Sequence, residues 1–134
     1  SIFNFQKFTD RVISHNGGYM TARQVMQHIG TIFRQMNPNV WVDATIRKIE
    51  KTSVERPMVR DVRFPNEVFG ILERGGYVIH LGRRPFPEDN HESETALLPE
   101  NFDPSAFSLD LNNSNLSVME TFQAAREFLN GVGW

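Results

Sequence analysis

With 134 residues the chain is one domain long and can bury a core of its own, so that anything larger has to be assembled from more than one chain. It contains no cysteine, which excludes a disulfide framework, a thiolate nucleophile and cysteine-ligated zinc, and no apolar run approaches a membrane span. The net charge of -2 hides an asymmetry: residues 21–84 carry eleven Lys or Arg against six acids, whereas residues 85–134 carry one basic residue, Arg126, against nine acids. An anion is therefore expected on the first of these segments. Arginine outnumbers lysine eleven to three. That bias suits bidentate phosphate contact, with surface ion pairs as the commoner alternative. Double-stranded nucleic acid is disfavoured by the negative net charge and the lack of a basic run. Without a signal-peptide pattern at the start, a soluble protein in the cytoplasm is expected.

In chain order, "IFNFQKFTDRVIS" places Ile2, Phe5, Phe8 or Thr9, and Val12 at helical spacing, which predicts a short helix over 2–14 before "HNGG" stops it. Thr21 can cap the next helix, where Ala22, Val25, Met26, Ile29, Ile32, Phe33 and Met36 form one apolar stripe until Asn37-Pro38. Val42, Ile46 and Ile49 mark a third helix running to about Lys51, with Trp41 at its start. The period then changes. "PMVRDV" reads as a strand, 66–74 as a helix stopped by Gly75-Gly76, and "YVIHLG" as a second strand, together a parallel crossover unit. Prolines and acids over 83–103 predict a loop. "FSLDL" is a third strand candidate, and Val118, Phe122, Ala125 and Leu129 give a closing amphipathic helix. Alternating strands and helices argue for an α/β fold with a parallel sheet.

Two stretches concentrate side chains suited to chemistry. At about 100° per residue, Arg23, Gln27, Gly30 and Arg34 fall on one ridge nearly opposite the apolar stripe. A glycine there costs roughly 1 kcal/mol relative to alanine, so either a ligand or another backbone approaches at Gly30, or the ridge is a solvated face with a tolerated glycine. In "VRDVRFPNE", strand alternation puts Asp61 and Arg63 on one side at the end of a parallel strand, where open α/β sheets bind ligands. Such an acid can position a metal or a hydroxyl and the arginine can hold a phosphate, or the two can simply pair with each other. Pro65 and Asn66 suit the first turn of the following helix and Glu67 favours its positive end, with capping the better reading for Glu67. "HESE" contributes His91 and Glu94, which fit a loop fixing its own shape better than a zinc site. No G-x-S-x-G elbow and no Walker A motif occur.

Taken together, "TARQVMQHIGT", "VWVD", "RDVRFPNE", "GGYVIHLGRRP", "HESE" and "LNNSNLSVMETF" follow the order of motifs in phage-type deoxynucleoside monophosphate kinases, which the chain resembles over roughly residues 19–129. The resemblance implies a three-layer, P-loop-kinase-like parallel sheet lacking the first strand and the P-loop. It implies one domain over 1–134, with a helix and linker over 1–18 and a kinase-like core over 19–134. It further implies phosphoryl transfer from ATP, with Mg²⁺, to a deoxynucleoside monophosphate. Arg23, Asp61 and Arg63 would then be catalytic, and Gln27, Gly30, Arg34, Trp41, Glu67, His91 and Glu94 would line the substrate, with no metal ligated by protein alone. Arg34 follows from helix geometry, and Arg83 or Arg84 from the "RRP" turn. The P-loop is expected from a second chain or segment, and a homo-oligomer is a separate expectation. The alternative is a non-catalytic nucleotide-binding or protein-interaction module on the same fold.

Overall fold

Residues 12–13, 19–84 and 87–134 are described by a computed structural model, which divides into two compact units, Ser1–Asp43 and Ala44–Trp134. In the first unit, Val12–Ile13 (β1) and Tyr19–Met20 (β2) pair antiparallel, Val12 opposite Met20. The helix predicted over 2–14 is thus corrected at residues 12 and 13, two β-branched side chains that favour an extended backbone. The rest of that expectation lies outside the described residues.

Thr21 starts α1, Ala22–Met36, through a reciprocal box: Thr21 Oγ1 accepts from Gln24 N at 3.2 Å and Gln24 Oε1 from Thr21 N at 2.8 Å. Asn37 is extended, and Pro38 cannot continue the helix, so α1 ends where the sequence predicts. Helix α2, Val40–Lys51, begins in the first unit and ends in the second, with Asp43 in its first turn and Lys48 and Lys51 in its last, as the helix dipole favours.

In the second unit "PMVRDV" is not a strand. Asp61 has a φ of +61°, a left-handed conformation that breaks the pleat one residue before the end of the predicted strand. Among the described residues no neighbouring strand offers it a ladder either. Helix α3, Pro65–Leu72, follows with Pro65 preset for its first turn. Two glycines stop it for different reasons. Gly75 takes a φ of +76°, and a Cβ on Gly76 would lie 2.6 Å from Ile71 Cγ2.

The parallel pair forms between Ile79–Leu81 (β3) and Leu109–Leu111 (β4), with His80 opposite Asp110, instead of between the "PMVRDV" segment and β3. The segment 83–103, predicted as loop, contains one helical turn, Glu92–Thr95 (α4), and a 3₁₀ turn at Pro104–Ala106 follows it. Helix α5, Val118–Gly131, closes the chain and is capped by Ser117. Val68 of α3, Val78 before β3, Phe102 and Phe107 make the core, with Val62, Ile71, Leu72 and Leu97 packed against it. The Phe102 and Phe107 rings lie 5.1 Å apart. Val62 and Leu97 lie next to Arg63 and α4 in sequence, so this cluster brings those two segments together. Tyr77 meets Phe128 of α5 edge-on at 5.9 Å. No helix among the described residues is long and apolar enough to cross a membrane.

The α5 cap has a consequence for pH. Glu120 Oε2 accepts from Ser117 N at 2.7 Å, and this backbone bond, with the Ser117 side chain second, holds its carboxyl below the ordinary value of 4.5. A depressed folded value means that the contribution is complete above the ordinary value and is lost as pH falls through the folded one. Thermal melts between about pH 5 and pH 3 should therefore show a steeper loss of stability for the native chain than for Glu120→Gln.

Candidate anion-binding site

Glu67 fixes the approach to α3. Its Oε2 accepts from Arg63 N at 2.7 Å and from Phe64 N at 3.1 Å, satisfying two N–H groups at a helix start with a negative charge where the dipole favours one. The backbone that carries the Arg63 side chain is pinned by this carboxylate. Phe64 itself is buried, so the turn is anchored on its apolar side as well.

Asp61 is the one non-glycine with positive φ among the described residues. Aspartate tolerates that region better than most residues, at a cost of about 1 kcal/mol that the surroundings must offset. Its carboxylate is 80% exposed and lies 3.7 Å from Arg63 Nη2. A pair so exposed contributes little to stability. The firmer partner is Glu94, whose Oε1 meets Arg63 Nη1 in a close, charge-assisted contact with Glu94 only 20% exposed. Arg63 is 37% exposed, so a guanidinium fixed on one side still presents donors to solvent.

Glu94 is held in place by α4. His91 caps that turn: its Nδ1 accepts from Ser93 N at 3.1 Å, and its own N–H donates to Asp89 Oδ1 at 3.0 Å. The "RDVRFPNE" and "HESE" motifs therefore meet at Arg63, which touches Asp61 and Glu94 directly. Glu67 acts there through the backbone, and the link of His91 to Arg63 passes through α4.

The remaining predicted residues belong to the first unit. Arg23 is exposed at the start of α1, while Gln27, Gly30 and Arg34 are half-buried along its ridge. Arg34 Nη2 donates to Thr31 Oγ1 at 3.3 Å, and Thr31 Oγ1 donates to Gln27 O at 2.9 Å. A Cβ on Gly30 would lie 3.3 Å from Arg34 Nη1, so the glycine gap lets this guanidinium lie close along its own helix. Trp41 Nε1 is 3.5 Å from Gly30 O, and its ring tilts onto Phe33 with centroids 5.7 Å apart. The ten site residues thus form two sets, Arg23, Gln27, Gly30, Arg34 and Trp41 in one unit and Asp61, Arg63, Glu67, His91 and Glu94 in the other.

One pair escaped the sequence reading. His80 Nδ1 lies 2.6 Å from Asp110 Oδ1, and the His80 ring stacks on Phe107 at 4.6 Å and 11°. An ionised carboxylate only accepts, so it fixes the ring proton on Nδ1 and orients the imidazole. The two residues lie 30 positions apart and become neighbours only through the parallel register, which no local spacing announces. Nearby, Arg83 N donates to Asn113 Oδ1 at 2.9 Å, and Arg84 Nη2 reaches Asp89 O at 3.4 Å.

Among the described residues no three His, Asp or Glu side chains gather to hold a metal ion. A Mg²⁺ at Asp61 would depend on phosphate oxygens and water for most of its ligands, which is how that ion is usually bound beside a nucleotide. Compared with known protein families, curated proteins and solved structures, the chain matches none.

The strain at Asp61 can be read by substitution. Asp61→Ala should cost about 1 kcal/mol, because alanine tolerates positive φ poorly, while Asp61→Gly should stay within about 0.5 kcal/mol of the native chain. Urea midpoints at unchanged m-value measure both.

Proposed function

We propose that the second unit carries the acceptor side of a nucleotide phosphotransferase site, binding the phosphate of a deoxynucleoside monophosphate at Arg63. The observation that supports this reading best is the preparation of one arginine. Its backbone is pinned by Glu67, one side of its guanidinium is held by Glu94, and the other side remains partly open beside an exposed acid on a strained residue. Holding a cation in advance lowers the ordering cost of gripping an anion, and phosphoryl transfer asks mainly for positioning and charge neutralisation.

In the proposed reaction an oxygen of the acceptor phosphate attacks the γ-phosphorus of ATP, the bond to the β,γ-bridging oxygen breaks, and ADP departs. Arg63 would orient the acceptor phosphate and offset its charge, while Asp61 would accept a hydrogen bond from the sugar or sit beside the ion that accompanies the nucleotide. Mg²⁺, when bound with ATP, supplies charge neutralisation on the phosphate oxygens. Arg23 and Arg34 belong to the first unit, which by the resemblance is proposed, on its own, to contact phosphate. The fold proposed with this function is the three-layer, P-loop-kinase-like α/β sheet, of which β3 and β4 would be two strands.

The 134 residues contain no Walker A motif to cradle the donor phosphates, and that observation favours a second reading, nucleotide binding without turnover. Calorimetry and an ATP-dependent phosphotransfer assay on the full chain separate the two. A deoxynucleoside monophosphate should bind, and Arg63→Ala should weaken binding by at least about 2 kcal/mol, roughly thirtyfold. Turnover lost in Arg63→Ala supports the enzyme, binding alone supports the module, and equal behaviour of Arg63→Ala and the native chain contradicts both.

A further inference from the structure

We propose that His91 is a pH-sensitive latch: its neutral imidazole caps α4, α4 holds Glu94 against Arg63, and protonation of the ring releases that hold. The meaning of the latch for ligand binding rests on the reading of Arg63 as the phosphate contact. The latch itself rests only on the contacts among residues 89–96 and Arg63.

A backbone N–H can only donate, so the 3.1 Å contact from Ser93 N requires a lone pair on His91 Nδ1 and leaves the ring proton on Nε2. Ser93 Oγ, at 2.9 Å from the same nitrogen, donates to it in that tautomer. Protonating Nδ1 reverses one contact and abolishes the other. The new N–H can donate to Ser93 Oγ, but it then points a donor at the Ser93 N–H. The cap is lost while the side chain stays close.

Helix α4 is a single turn of four residues, closed at its far end by Leu98 N and Asn101 Nδ2, which donate to Thr95 O at 3.1 and 2.9 Å. Glu94 N donates to His91 O at 2.8 Å, Ala96 N to Glu92 O at 2.9 Å, and Thr95 Oγ1 to His91 O at 3.3 Å. A helix this short is not stable by itself, so its cap carries an unusual share of its order. Glu94 sits within that turn, and its carboxylate is the firmer of the two acids on Arg63.

The charges around His91 act in the same direction. Asp89 accepts from the His91 N–H, Glu92 and Glu94 share its turn, Arg63 reaches it through Glu94, and Arg84 contacts Asp89 through the backbone carbonyl. An imidazolium is attracted by the three acids and has no reason to face the Ser93 N–H. Protonation of the ring would therefore open the latch. Arg63 would then exchange a fixed partner for solvent, and the phosphate contact would lose its preparation.

Amide exchange of the full chain at about pH 7.5 and pH 5.5, corrected for intrinsic rates, tests the latch without a ligand. In the native chain, protection at Ser93, Glu94 and Ala96 should fall by about fivefold at the lower pH, the size of one lost N-cap, while Val68 stays unchanged. The Arg63 guanidinium signals should broaden over the same interval. His91→Asn, which caps without titrating, should show neither change. His91→Ala should be poorly protected at both values. A native chain with no pH response, or a His91→Asn chain that responds as strongly as the native one, would overturn the proposal. The second result would assign the response to Glu94 or Asp89. A nucleotide titration of the native chain at the higher pH separates the two ideas, since this protection pattern with no deoxynucleotide binding upholds the latch and removes only the phosphate reading.

Discussion

Everything that makes Arg63 a usable cation depends on a carboxylate three bonds from the backbone of another residue. Glu67 Oε2 accepts from the N–H groups of Arg63 and Phe64 together, at 2.7 and 3.1 Å, and so converts the loose end of an irregular segment into a fixed entry to α3. The helix needs that acceptor because its first N–H groups have no partner within the helix, and its dipole favours a negative charge there. One interaction therefore does two things, starting α3 and orienting the residue before it. Without it the Arg63–Glu94 contact would have to order both ends of its own geometry.

The rest of the second unit is arranged around this turn. Val62 packs on the Val68, Val78, Phe102 and Phe107 core and Phe64 is itself buried, while Arg63 between them stays partly exposed. Leu97 packs on the same cluster a few residues after α4, so burial of apolar surface is what brings the two polar motifs within reach. Asp61 bends the segment where a strand would have continued. The left-handed residue and the Arg63 guanidinium then share one surface, beside a mostly buried Glu94. Strained backbone of this kind clusters at functional sites, and here it carries an exposed acid beside a half-held arginine.

Much of this was legible in the sequence wherever the cause is local. Thr21 and Pro65 with Glu67 announce two helix starts, and Gly75-Gly76 announces a stop, because capping and glycine geometry act over three or four residues. The pairing of Asp61 with Arg63 was anticipated, although by strand alternation, whereas the structure achieves it through a left-handed turn. Residues of identical spacing serve both geometries, so the pattern alone does not distinguish them. Long-range partners were illegible. Glu94 meets Arg63 across 31 positions, and His80 meets Asp110 across 30, each set by packing or register that no window of sequence contains. The apolar stripe of α1 is a further case: its residues have helical spacing, yet Met26, Ile29, Ile32, Phe33 and Met36 remain exposed, since periodicity predicts a face and not what covers it.

The assignment of Arg63 as a phosphate contact is tested most directly by nuclear magnetic resonance of the full chain titrated in parallel with a deoxynucleoside monophosphate and with the matching deoxynucleoside. The guanidinium signals of Arg63 and the amides from Asp61 to Phe64 should shift saturably with the monophosphate and stay in place with the nucleoside. Equal shifts with both ligands, or saturable binding that leaves Arg63 unmoved, would contradict a phosphate site at this residue.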